Sequence, residues 1–159
     1  FLVSAASRYD VKGRKYIGAP LKYYFEDVGL RNARVSFRQS DENHLMENVI
    51  YNELRYRGFS VDVGVVKSRE YNAEGVQRPV AREVDFVANL AGRRYYVQSA
   101  FAIPDAAKAE QEKASLLSID DSFKKIVVVK DVVNVSRDEH GIVTMGLFDF
   151  LLDPNSLER

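Results

Sequence analysis

Asp85 stands inside an apolar run, Glu83-Val84-Asp85-Phe86-Val87-Ala88, that reads as a β-strand. An ionised carboxylate there is costly to bury unless it is paired or bound to a metal. The plainer reading is a strand with one solvated face, because Glu83 and Asp85 lie two apart and share a side. Gln98 sits in the next apolar run, among Tyr96, Val97 and Ser99. In a hairpin turning near Ala91-Gly92, Gln98 comes close to Asp85. An amide oxygen can ligate a hard cation such as magnesium, more weakly than a carboxylate; the plainer reading is a hydrogen-bonded polar position on a half-exposed strand. Glu47 and Glu53 come from a helical segment. At 100° per residue Glu53 falls within the apolar arc and Glu47 at its edge, so each needs a partner: an arginine, a backbone amide or a metal.

These residues must be positioned by the elements around them. Residues 41–57 form the clearest helix. Ser40 suits the N-cap, Asp41 and Glu42 suit the positive end of the dipole, and Leu45, Met46, Val49, Ile50 and Leu54 make an apolar face. Arg55 and Arg57 suit the last turn, and Gly58 the position after it. Before this helix, residues 8–16 read as two short strands around a turn at Lys12-Gly13. Leu21 to Phe25 reads as another strand, and a short helix begins near Val28. After it, Phe59 to Val66 is a strand, residues 67–80 read as a polar loop, and residues 83–101 make a hairpin. Pro104 and Asp105 open a second helix over about 105–117. Lys125 to Lys130 is an apolar run bounded by charges, which predicts a strand buried on both faces. Residues 134–141 read as a polar turn, Ile142 to Leu147 as a last strand, and Phe148 to Leu152 as a closing helix. Helix, three strands, helix, strand predicts an α/β or α+β domain with a mixed central sheet flanked by helices. Residues 1–38 are expected to be an N-terminal extension packed on a core of residues 39–159.

The 159 residues suit one domain, and 23 basic residues balance 23 acidic ones. Zero net charge argues against bulk polyanion binding but permits a local basic patch. The basic residues cluster as Arg31, Arg34 and Arg38, as Arg93 and Arg94, and as Lys124 and Lys125. Such clusters are usually solvated faces, and together they could line a phosphate-binding groove. The absence of cysteine excludes disulfides, thiolate zinc sites and a cysteine nucleophile, and fits a cytoplasmic chain. His44 reads as a helix-surface residue and His140 as a turn residue, with no metal-ligand spacing between them. No apolar run approaches the roughly 18 residues of a membrane span, so no membrane partner is expected. There is no P-loop, dinucleotide fingerprint or nucleophile elbow. The start at Phe1 suggests a domain cut from a longer protein.

A helix bearing Glu47, followed by a hairpin bearing Asp85 and Gln98-Ser99-Ala100, resembles the PD-(D/E)XK nuclease fold. More closely, Arg8 to Gly13, Lys22 to Asn32, Leu45 to Asn48 and Glu83 to Val87 resemble the uncharacterised C-terminal domain of bacterial and archaeal AAA+ ATP-binding proteins. The resemblance implies a nuclease-like core downstream of an ATPase module, with DNA as a partner. It also implies a site for magnesium or manganese in which Asp85 is the strand aspartate and Glu47 the helix glutamate. Gln98 stands where that fold carries a second acid, and Ala100 where it carries a lysine. Lys108 or Lys113 on the following helix is the expected substitute for that lysine. The pattern implies a weakened metal-dependent phosphodiesterase that binds nucleic acid. The alternative is a non-catalytic module that docks on its own ATPase or regulates it.

Overall fold

The computed structural model describes residues 2–34, 36, 41–71, 75–103 and 105–159; of Ala19, Glu70 and Ala106 the backbone alone is described. Two strands, β1 (Val3–Asp10) and β2 (Lys15–Phe25), open the chain as a hairpin. Helices α1 (Val28–Arg34) and α2 (Glu42–Tyr56) lead into β3 (Ser60–Tyr71), β4 (Gln77–Leu90) and β5 (Arg93–Ala100). Helix α3 (Ala106–Leu117) crosses over to β6 (Lys124–Val129). The chain ends with β7 (Ser136–Arg137), β8 (Val143–Gly146), α4 (Leu147–Leu152) and a 3-10 turn at Ser156–Glu158.

All eight described strands join one mixed sheet, in the order β2-β1-β3-β4-β5-β6-β8-β7. The N-terminal hairpin is therefore part of the sheet, since β1 runs parallel to β3. Strands β5, β6 and β8 are also parallel. Ile126, Val127, Val128 and Val129 are all buried, as the unbroken apolar run of β6 requires. The sheet separates two cores. On one face Val61, Val63, Phe86 and Ala88 pack with Ile50, Tyr51 and Leu54 of α2 and Phe150 of α4. On the other, Val66, Val84, Val87 and Tyr96 pack with Leu116 of α3.

Of the segment expected as a loop over 67–80, residues 67–71 and 77–80 instead form a ladder, and residues 72–74 lie outside the described residues. β3 and β4 stay paired from Ser60↔Asn89 out to Tyr71↔Gln77. The outer pairs lack the apolar alternation that marks a half-buried strand, and among the described residues no further strand pairs with them. β2 is one strand through Pro20, not two. Helix α2 is capped by Asp41, whose carboxylate accepts the Asn43 N–H; Ser40 and Arg38 lie outside the described residues. Asp105 caps α3 by accepting from the Lys108 N–H; Pro104 is outside the described residues too. No helix among the described residues is long and apolar enough to cross a membrane.

Two irregularities shape the site. Opposite Asp62 to Gly64 on β3, β4 runs from Val87 to Val84, so two steps face three and β4 carries one extra residue. That bulge leaves Val84 and Val87 on the α3 side, while Asp85 and Phe86 fall between them. The second lies in the N-terminal hairpin. From Ala6↔Lys22 to Arg8↔Ile17, two steps on β1 face five on β2. The excess carries the end of β2 onto α2, where Tyr24 stacks on Tyr51 with ring centroids 4.0 Å apart. Asn48 fixes that end in place: it accepts the Phe25 N–H at 2.9 Å and donates to the Phe25 carbonyl at 2.7 Å. Asn52 donates to the same carbonyl at 2.9 Å.

Candidate functional site

Ladder pairing between β4 and β5 runs from Leu90↔Arg93 down to Phe86↔Val97 and stops there. Ala91 and Gly92, both at positive φ, make the expected two-residue turn. Below Phe86 the bulge parts the two strands, and side chains replace the missing ladder bonds. The Ser99 N–H donates to Asp85 Oδ2 at 2.8 Å. The Asp85 N–H donates to Gln98 Oε1 at 3.3 Å, and the Ser115 hydroxyl of α3 donates to the same oxygen at 3.4 Å. Asp85 and Gln98 are thus neighbours, as the hairpin register predicts. The Gln98 oxygen is turned into the protein, and both its acceptor positions are used.

Glu47 reaches the same place from α2. It is 8% exposed, and its Oε1 accepts the Tyr24 hydroxyl at 2.6 Å. Lys22 Nζ lies 2.5 Å from that oxygen and 3.3 Å from Glu83 Oε1, and Arg8 holds the other oxygen of Glu83 at 2.5 Å. The row Arg8, Glu83, Lys22, Glu47 therefore alternates in sign and ends beside Asp85. On the shared face of Glu83 and Asp85, Glu83 is partly solvated within this network while Asp85 lies beneath it. Burial opposes the charge on Lys22, but the bond to Glu47 and the charges of Glu47, Asp85 and Glu83 together raise its pKa. Burial and the Glu47 charge push Tyr24 well above the usual phenol range, so it stays a donor. Asp85 is driven up to about 7, first by burial and then by the nearby Glu47 charge, against the Ser99 N–H and Lys22.

A pocket of about 490 Å³ opens over these groups. Glu47, Asp85, Gln98, Ser99, Lys108 and His44 are among its walls. Among the described residues no hydrogen bond reaches Asp85 Oδ1 or Glu47 Oε2. No group of three or more His, Asp or Glu side chains suited to a metal comes together there. Of the three carboxylates on its walls, Glu112 is paired with Lys108, and Glu47 and Asp85 remain, a set that fits a magnesium-type cation, which keeps several waters and takes one or two carboxylates.

The other expected residues divide. Glu53 pairs with Arg57 at 2.7 Å along α2, a structural contact. Lys108 lines the pocket and pairs with Glu112 at 2.6 Å. Lys113 points away, to Asp138 at 2.8 Å. Ala100 is buried against the α3 core. His44 is exposed beside Asp41, and His140 sits in a turn. Lys124 and Lys125 are tied to the backbone carbonyls of Leu157 and Ile119 and are not a free basic face. Sequence reasoning missed Lys22. Its only local signal is that Lys22 and Tyr24 are two apart and face the same side of a strand.

No protein-family model and no solved structure matches this chain. The chain is similar to an uncharacterized protein of Haemophilus influenzae, 33% identical over 152 residues, which is 96% of this chain and 34% of that protein. The chain thus spans about a third of the length of the curated relative it matches.

Proposed function

We propose that this is a nuclease-like, nucleic-acid-binding domain of a larger ATPase, with a weakened phosphodiesterase site that depends on a divalent cation. The observation that carries the reading is the meeting of Asp85, at the point where β4 and β5 part, with Glu47 from α2. Two carboxyl groups this close at a pocket floor, with Lys22 as their neighbouring cation, are a costly arrangement that a divalent cation would relieve. Asp85 Oδ1 and Glu47 Oε2 would hold magnesium or manganese, which supplies a more acidic bound water and charge for a phosphate oxygen. Gln98 holds Asp85 by accepting its backbone N–H. Lys22 does what Ala100 cannot: it pairs with Glu47 and sets a positive charge beside Asp85. The longer Haemophilus relative leaves room for a module beside the matched part, in keeping with the AAA+ resemblance.

The test is calorimetric titration of manganese and magnesium into the domain, beside an Asp85→Ala variant. Binding lost in the variant supports the site. Gel shifts with duplex, single-stranded and branched DNA then test the nucleic-acid half. No metal bound at millimolar concentration, and no shift with any DNA, sinks the reading.

The second reading, a docking module of the ATPase, is favoured by one feature. Phe148 and Leu152 of α4 are 60% and 79% exposed, and Val132, which lines the same shallow pocket, is 86% exposed. An apolar patch of this kind suits a protein partner.

A further inference from the structure

A cleft of about 750 Å³ lies away from the acidic pocket, between the β1–β2 turn and the β4–β5 turn. Arg94 and Gln98 are four residues apart on β5, about 13 Å along the strand. Four cations line this cleft: Lys12, Arg14, Arg93 and Arg94. Arg93 is engaged by Glu158 at 3.1 Å. Among the described residues the other three make no ion pair. Of the two acids in the cleft, Asp121 is occupied by the Tyr96 hydroxyl at 2.6 Å and the Phe123 N–H at 3.1 Å. Lys12 and Arg14 are therefore uncommitted, Arg94 adds a positive charge held by uncharged partners, and the exposed carboxylate facing them is that of Asp120.

Arg94 is held as a recognition group is held. Its Nε donates to Asn89 Oδ1 at 2.7 Å. Its guanidinium carbon lies 5.2 Å from the Tyr9 ring centroid and 5.5 Å from that of Phe123. The guanidinium is thus oriented by Asn89, by the neighbouring Tyr9 and Tyr96 hydroxyls and by two rings, which cuts the entropy lost when its remaining N–H groups grip an anion. Both turns that border the cleft also carry a non-glycine residue in the left-handed region, Arg14 at φ 50° and Ala91 at φ 47°. Such backbone is unfavourable for a side chain and gathers at ligand clamps.

We propose that this cleft binds a phosphate-bearing ligand: Arg94 takes the phosphate oxygens through its fork, with Lys12 and Arg14 closing on the same charge. A phosphate presents the several acceptor oxygens that a planar guanidinium and two mobile cations can share. The phosphates of a free nucleotide and of a nucleic-acid strand share this chemistry. The site does not depend on the Glu47–Asp85 pair.

The experiment is titration of the whole domain, without divalent metal, with pyrophosphate and separately with a 12-nucleotide oligothymidylate. The proposal expects at least one to bind. Lys12→Glu with Arg14→Glu, both at exposed positions, should weaken that probe at least tenfold, and Arg94→Lys should weaken it while keeping the charge. Glu110→Ala, at an exposed position of α3 outside both sites, should leave it unchanged. For the strand, three phosphate contacts predict a salt slope near −2, an affinity loss of about 20-fold between 50 and 200 mM salt. Binding of pyrophosphate alone supports a small phosphorylated ligand, and binding of the oligonucleotide supports a strand. No binding of either probe, or binding that the Lys12 and Arg14 reversals do not weaken, overturns the proposal.

Discussion

Replacing Asp85 by asparagine should make the protein more stable at pH 8. The side chain keeps its shape, and the amide oxygen can still accept the Ser99 N–H. What disappears is a charge that burial and Glu47 disfavour. A carboxyl whose ordinary value is 3.8 titrates here at about 7. At roughly 1.36 kcal/mol per pH unit, holding it ionised costs the fold about 4 kcal/mol. The folded value lies above the unfolded one, so the neutral acid's contribution is complete below pH 4 and is lost as pH rises through 7. Asp85→Asn should therefore gain about 2–4 kcal/mol at pH 8, a rise in Tm of about 5–10 °C for a chain of this size, and only about 1 kcal/mol at pH 4.5. Urea unfolding at the two pH values reads the difference directly. Manganese at a hundredfold excess over its Kd should add about 2.7 kcal/mol to the native protein and nothing to the variant, closing the gap. A variant less stable than the native protein at pH 8, or a difference that does not change with pH, would refute the argument.

Lys22→Met removes a cation that favours the Asp85 charge, so the Asp85 midpoint should move above 7, as read by carboxyl-carbon NMR titration. Asn48→Ala leaves the Phe25 N–H without its acceptor and should cost about 1–3 kcal/mol in chemical denaturation, with β2 exchanging amide protons faster next to α2. Gly64→Ala would set a methyl 2.9 Å from a Val87 methyl and 3.1 Å from Val84 Cβ. Both neighbours are fully buried, so denaturation should show a loss of about 1–3 kcal/mol.

The parts of the fold legible in the sequence are those that a local pattern specifies. Helix α2, the Ala91-Gly92 turn and the doubly buried β6 follow from apolar period, from a short turn and from an unbroken apolar run. Asp85 and Glu47 stand out because each is an acid where the pattern calls for an apolar residue or its edge. The arm beyond Val66 was not legible, since strands with both faces wet carry no alternation. Lys22 was not legible either. Its place beside Glu47 depends on the excess residues in β2 and on Asn48 gripping Phe25, contacts that span more than 20 residues of chain. Gln98 was legible as a neighbour of Asp85, but which of its amide atoms turns inward depends on Ser115, on a helix 17 residues away.

The extra residue in β4 also acts as a change of reading frame for the sheet's two sides. Val84 and Phe86 have the same parity yet belong to opposite cores. Removing one residue between Val84 and Val87 would let the ladder run evenly and would swap the faces of everything from Gln77 to Val84 relative to the rest of β4. Val84 would then leave the α3 core for the face that meets α2, and Glu83 would turn from Lys22 and Arg8 toward apolar neighbours. A substitution at Asp85 changes one group, whereas a single-residue deletion beside it would exchange the surroundings of a whole half-strand. Length variation in this segment should therefore be tolerated far less than chemical variation, the reverse of what a surface hairpin allows.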